Sequence, residues 1–334
     1  MQLSREELRK HAESTVESIA RVDHTILAVY LTGSMVTEEN PFLGGAADID
    51  LVFIHIGEPK VEREILPLCA DLHLDIAHHA QVTYRQKRAL RTHPWLGPVL
   101  SEASPLYDPQ YFLDLILASV RGLFHQPNYV LQRSQAMLRS ARELWRDVKS
   151  SPQETDPMLV YQYLNILERA ANAIALLEGD PLTERRFLLN FTKRAAAIGH
   201  AGLNAGLLGL LGANRVEPSD LAAWVNSWAA LLNAIPESDL PPKLCAERRN
   251  YYHKAFSVLL DSDQPQSVLW PLLRTWTLAA RAVPESSPAL QDWNNATSKL
   301  SLSRSSLEER ILASDAFLNQ VEDIVTQWGR ERGA

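Results

Sequence analysis

Leu31-Thr32-Gly33-Ser34, then Asp48-Ile49-Asp50-Leu51-Val52, then Leu74-Asp75-Ile76: these three stretches decide how the N-terminal part of the chain is read. Ile26 to Leu31 is short, apolar and stopped by Gly33, the pattern of a buried strand. Ile49 to Ile56 reads as a second strand, apolar on both faces and so covered by helices, and Leu72 to Ala77 as a third. Residues two apart on a strand share a face. Asp48 and Asp50 therefore project together, while Ile49 and Leu51 turn to the other side. Two carboxylates on one face repel each other unless a cation lies between them. Asp75 sits centrally in the third strand and joins the pair if that strand is a sheet neighbour. Oxygen donors of this kind favour a hard ion, Mg²⁺ or Mn²⁺. Gly33 lets the chain turn tightly and lets a phosphate approach backbone N–H groups, and the Ser34 hydroxyl is a donor for a phosphate oxygen. A helix opening near Ser34 would add positive potential there.

Around these strands, Ser4 and Glu7 have the spacing of a capping box for a helix from Arg5 to about Val22. Glu58-Pro59 is expected to open a helix that runs to about Cys69, and Thr83 to Thr92 another. A short fourth strand is expected near Val99 to Leu106. Beyond Tyr107-Asp108-Pro109 no segment alternates. Asp108 is placed to cap a helix reaching about Phe124. Further helices are predicted at 128–149, 157–178, 181–211, 218–233, 241–260, 265–281 and 303–330. Ser150-Ser151-Pro152, Gly179-Asp180-Pro181 and the prolines at 284 and 288 mark breaks between them. Leu159, Tyr163, Ile166, Leu167, Ala170, Ile174 and Leu177 recur at helical spacing and form one apolar face. The expected architecture is α/β followed by all-α: a mixed sheet with flanking helices over residues 1–108, then a helical bundle over 109–334.

At 334 residues the chain fits two domains of the usual ~150 residues. Its formal net charge of -7, with no basic stripe, disfavours a long nucleic acid partner and leaves a mononucleotide open. Cys69 and Cys245 match no metal or redox spacing and read as two buried thiols in a reducing cytosol. The run from Ala195 to Ala213 contains His200, Asn204 and several glycines, so it reads as a packed helix rather than a membrane span. Arg5-Glu6-Glu7 breaks any leader pattern, and a cytoplasmic location is expected.

On Gly33-Ser34, Asp48 with Asp50, and Asp75, the chain resembles the nucleotidyltransferase superfamily, the polymerase β-like fold shared with aminoglycoside and lincosamide nucleotidyltransferases. Thirteen residues separate Ser34 from Asp48, and Ala47 and Met35-Val36 stand where members often carry a serine and an arginine. The resemblance implies a catalytic domain over residues 1–108, with Asp48, Asp50 and Asp75 as metal ligands and catalytic groups. Gly33 and Ser34 would hold the nucleotide. The implied reaction moves a nucleoside monophosphate from a nucleoside triphosphate, with ATP the best donor, to a hydroxyl of a small-molecule acceptor and releases pyrophosphate. The helical domain would bind that acceptor, a polyhydroxylated or cationic molecule. Some relatives complete their cleft with a partner subunit, so a homodimer is compatible with the resemblance. The alternatives are nucleotidylation of a protein side chain and a catalytically silent nucleotide-binding protein.

The acceptor hydroxyl needs a base or the metal to take its proton. Glu168, set among apolar and small residues, is the candidate base, with Glu102 a second. Lys193 is the candidate cation for the triphosphate. His73 and His79 share strand parity with Asp75, whereas His78 faces oppositely. All three are open to ligating a transition metal or hydrogen-bonding substrate, but read first as polar residues at the strand rim, since a carboxylate site needs no imidazole. Tyr251-Tyr252-His253-Lys254 lines an acceptor cleft or packs between helices, and Trp224 and Trp228 form a buried seam.

Overall fold

The computed structural model describes residues 4–38, 40–150 and 156–334. The break expected at Ser151-Pro152 lies outside them. The chain divides into two compact units, Met1–Tyr129 and Val130–Ala334. The boundary expected at 108 falls inside the first unit. The helix Phe112–Arg121 is the reason: its Leu113, Ile116, Leu117 and Val120 bury against the sheet residues Ala28, Tyr30, Val52 and Ile54. Asp108 starts that helix as predicted, its carboxylate accepting from the N–H groups of Phe112, Leu113 and Asp114 at 2.9–3.0 Å.

Five strands form the sheet of the first unit: β1 (Ile26–Thr32), β2 (Ala47–His55), β3 (Arg63–Cys69), β4 (Leu72–Ala80) and β5 (Ser104–Tyr107), in the order β3-β4-β2-β1-β5. β2 and β4 are parallel and the other pairs antiparallel, so the sheet is mixed. One face carries Val29, Leu31, Ile49, Leu51, Phe53, Leu74 and Ile76. It is covered by Leu8, Ala12 and Val16, four residues apart on the helix Arg5–Ala20. The Ser4–Glu7 capping box that starts this helix is present in both directions, at 2.7 and 3.2 Å. Truncating Leu8 to Ala in this core would cost about 2–5 kcal/mol.

Three predicted elements in this unit are corrected. The helix expected at Thr83 to Thr92 is a 3₁₀ turn, Gln81–Tyr84, followed by a single α-turn, Lys87–Leu90. Residues 58–69 do not form a helix: Arg63–Cys69 is the edge strand β3, antiparallel to β4. Pro67 favours this outcome, because a helix interior would lose a hydrogen bond at proline while an edge strand tolerates it. The fourth predicted strand is mostly the helix Leu96–Glu102, and only Ser104–Tyr107 is extended.

In the second unit the regular elements among the described residues are all helices, and 13 of the 20 residues of the helix Asp156–Ala175 are buried. The apolar face read from its sequence is its core side: Leu159, Tyr163, Ile166, Leu167, Ala170 and Ile174 are all buried. Trp224 and Trp228 are buried as well, and Phe187 stacks on Trp270 with centroids 3.8 Å apart. The single helix expected at 181–211 is two, Phe187–Ala197 and Gly202–Leu210. Gly199, at φ +79°, ends the first with a left-handed residue that L side chains rarely adopt. The helix Gln291–Lys299 was not predicted. Its buried side is only Trp293, Ala296 and Thr297, too sparse a stripe to read. No helix among the described residues is long and apolar enough to cross a membrane.

Candidate metal and phosphate site

Three strands bring the candidate residues to one end of the sheet. β2 and β4 run in register, with Asp48 beside His73 and Asp50 beside Asp75. Paired residues of neighbouring strands share a face, so these four side chains form a two-by-two patch. Thr32, the last residue of β1, pairs with Asp50, and Gly33-Ser34 follows it directly. Farther along β2, on the same face, Val52 and Ile54 enter the apolar core.

Asp48, His73 and Asp75 are buried, and a ligand atom from each lies within 4.8 Å of the others. The tightest donor set therefore differs from the three carboxylates expected. His73 belongs to it, while Asp50, paired with Asp75 across the strands, is half-buried and outside that set. The signal for His73 was present in the sequence. It sits two residues before Asp75, the same spacing that joins Asp48 to Asp50.

Gly33 has φ +68°, and a Cβ built there would overlap Asp50 Oδ2 and lie 2.7 Å from Cγ. The glycine thus makes room for a carboxylate, beyond the tight turn expected of it. The helix that follows, Ser34–Thr37, is a single turn, so the expected helix potential is slight. Ser34 contributes differently: its Oγ is buried and has no hydrogen-bond partner among the described residues. A buried hydroxyl left without a partner is costly, and a ligand oxygen would satisfy it.

Asp75 has a partner that the sequence reading missed. Arg63, on β3, donates from Nε to Asp75 Oδ1 at 2.5 Å and from a terminal nitrogen to Oδ2 at 2.6 Å. The Asp75 carboxylate is 1% exposed and the Arg63 side chain 46%. The fork-shaped pair offsets one of the clustered negative charges. Reading residues 58–69 as a helix placed Arg63 away from the site.

The flanking histidines keep the parity expected of them and are engaged elsewhere. His79 Nδ1 meets Tyr84 Oη at 2.6 Å, and Tyr84 Oη meets Tyr30 Oη at 3.0 Å. Burial, then the nearby His78, pushes the His79 imidazole below its ordinary value. On the opposite face, His55 Nε2 lies 2.9 Å from His78 Nδ1, and His78 Nε2 lies 2.9 Å from Glu64.

Glu168 and Lys193 belong to the second unit. Glu168 accepts from Arg274 at 3.3 Å across two helices, and Lys193 is exposed. Glu102 is exposed as well. Tyr251 and Tyr252 are buried in packing: Arg185 stacks 3.5 Å from the Tyr251 ring, and Tyr252 donates to Glu184 at 3.0 Å.

The donor set suits a divalent cation. Two carboxylates and an imidazole match Mn²⁺, with its mixed oxygen and nitrogen tolerance, at least as well as Mg²⁺. The orphaned Ser34 hydroxyl is the atom of the site left for a ligand oxygen, while the space at Gly33 is filled by the Asp50 carboxylate.

No family model matches the chain, and no curated protein matches it.

Proposed function

We propose that the first unit is the catalytic half of a metal-dependent nucleotidyltransferase of the polymerase β-like fold. The observation that carries this reading is the patch of Asp48, Asp50, His73 and Asp75 on one face, with Gly33 pressed against Asp50. Asp48, Asp75 and His73 would hold the metal, with Asp50 completing the acidic wall beside Gly33. A bound ion would supply Lewis-acid stabilisation of charge on the phosphates and would lower the pKa of an attacking hydroxyl.

The chain's own residues then have defined roles. Ser34 donates its unpartnered hydroxyl to a phosphate oxygen of the nucleoside triphosphate, with ATP the donor proposed. Gly33 keeps the backbone free of a side chain, so that phosphate and carboxylate fit side by side. An acceptor hydroxyl attacks the α-phosphorus; the new O–P bond forms as the bond to pyrophosphate breaks, and the hydroxyl proton leaves to solvent or a base. Holding the two reactants in line supplies much of the rate. The acceptor proposed is a polyhydroxylated or cationic small molecule. Glu168, the base expected from the sequence, is engaged by Arg274 as a link between helices.

The test is a pyrophosphate-release assay with Mg²⁺ or Mn²⁺, ATP and a panel of polyhydroxylated amines. Acceptor-dependent release that vanishes in Asp50→Ala supports the reading. Release unchanged by that substitution contradicts it.

A further inference from the structure

We infer that Arg63 is an exchangeable phosphate ligand: it holds Asp75 when no metal is bound and turns to the triphosphate when metal takes that carboxylate. The inference rests on the nucleotidyltransferase reading of the site and adds a residue to it. Its first support is geometry. Arg63 pairs in the sheet with Ala77, yet its guanidinium reaches back along β4 to Asp75, toward the acidic end. Both oxygens of a carboxylate that belongs to the donor set are engaged by that one group. A divalent ion and a guanidinium on the same buried carboxylate repel each other and compete for its lone pairs. Binding of the ion therefore weakens the arginine's hold, and the coupling is reciprocal.

The second support is freedom to move. β3 is the edge strand, bonded to β4 alone, and the Arg63 side chain is about half-exposed where Asp75 is buried. The guanidinium can leave without opening the core. Its planar fork matches two oxygens of a phosphate as well as it matches a carboxylate. Lysine has the charge but not the fork, so the two residues separate charge from geometry.

The experiment measures binding and needs no turnover. Mn²⁺ alone is titrated by electron paramagnetic resonance, and a non-hydrolysable ATP analogue with saturating Mn²⁺ by calorimetry. The proteins are wild type, Arg63→Gln and Arg63→Lys, each checked for a wild-type melting curve. Arg63→Gln is expected to bind Mn²⁺ alone about tenfold more tightly and the analogue about tenfold more weakly. Arg63→Lys is expected to recover only part of the analogue affinity. Equal loss of both affinities in Arg63→Gln makes Arg63 structural and overturns the inference. Wild-type affinities in Arg63→Gln overturn it while leaving the site reading intact. A wild-type protein that binds neither Mn²⁺ nor the analogue overturns both.

Discussion

Gly33 stands directly against the carboxylate of Asp50: a Cβ at position 33 would overlap Oδ2 and lie 2.7 Å from Cγ. The contact links the Gly–Ser turn after β1 to the acidic start of β2, two motifs that are far apart in the sequence. Gly33→Ala is therefore expected to act twice. The combination of φ +68° and ψ -155° is essentially reserved for glycine and costs an L residue about 1–3 kcal/mol of stability. The methyl group also displaces Asp50 and is expected to remove metal-dependent nucleotide binding. Chemical denaturation and calorimetry check the two effects separately. A stable variant with wild-type nucleotide affinity would show that the contact has no bearing on the site.

His73 is the one nitrogen donor in the tight group with Asp48 and Asp75. Imidazole favours later transition ions over Mg²⁺. His73→Ala is expected to weaken Mn²⁺ binding by at least about tenfold, in the range seen when metal-site groups are removed. Mg²⁺, measured by competition, is expected to weaken less. Equal weakening of both ions would make His73 a packing residue.

Acid sensitivity follows from the imidazoles of the first unit. Burial first, then the neighbouring His78, pushes His55 below its ordinary 6.5, with Asp23 opposing, and burial does the same to His93. His79 is lowered alike. For such groups the unfolded chain binds the proton first. Stability is therefore fully present above about pH 6.5 and is lost as pH falls through the lowered values. The melting temperature is expected to drop between pH 7.5 and 5.5, less steeply in a His55→Asn, His79→Asn double variant. A flat profile for wild type across that range would contradict this.

In the second unit, Glu184 receives Lys243 at 2.6 Å and the Tyr252 hydroxyl at 3.0 Å. Burial alone would raise its carboxyl, but Lys243 and Arg274 outweigh burial and hold it below the ordinary range. Tyr252→Phe removes a donor from a buried carboxylate and is expected to cost about 1.5–3 kcal/mol. Urea denaturation gives the number, and a loss below a few tenths would mean that water replaces the hydroxyl.

Local patterns were legible and long-range pairings were not. The Ser4–Glu7 box, the Asp108 cap and the shared face of Asp48 and Asp50 each depend on residues within a few positions, so spacing alone reveals them. The partnership of Arg63 with Asp75 depends on β3 lying beside β4. β3 hides because it is an edge strand with mostly exposed residues and a proline, showing no alternation to read. His73 was legible as to face but not as to role, since its place beside Asp48 comes from the register of β2 with β4. The split at Gly199 leaves no break in the sequence pattern, because apolar and small residues continue on both sides of it.

The central claim is that the acidic end of the sheet, with Gly33-Ser34, binds a nucleoside triphosphate through a divalent metal. Calorimetric titration of ATP, with and without Mn²⁺, into wild type and an Asp48→Asn, Asp50→Asn variant of matched fold tests it most directly. The account predicts ATP binding by wild type only with Mn²⁺, and none by the variant. No binding by wild type at millimolar ATP, or equal binding by the variant, would contradict it.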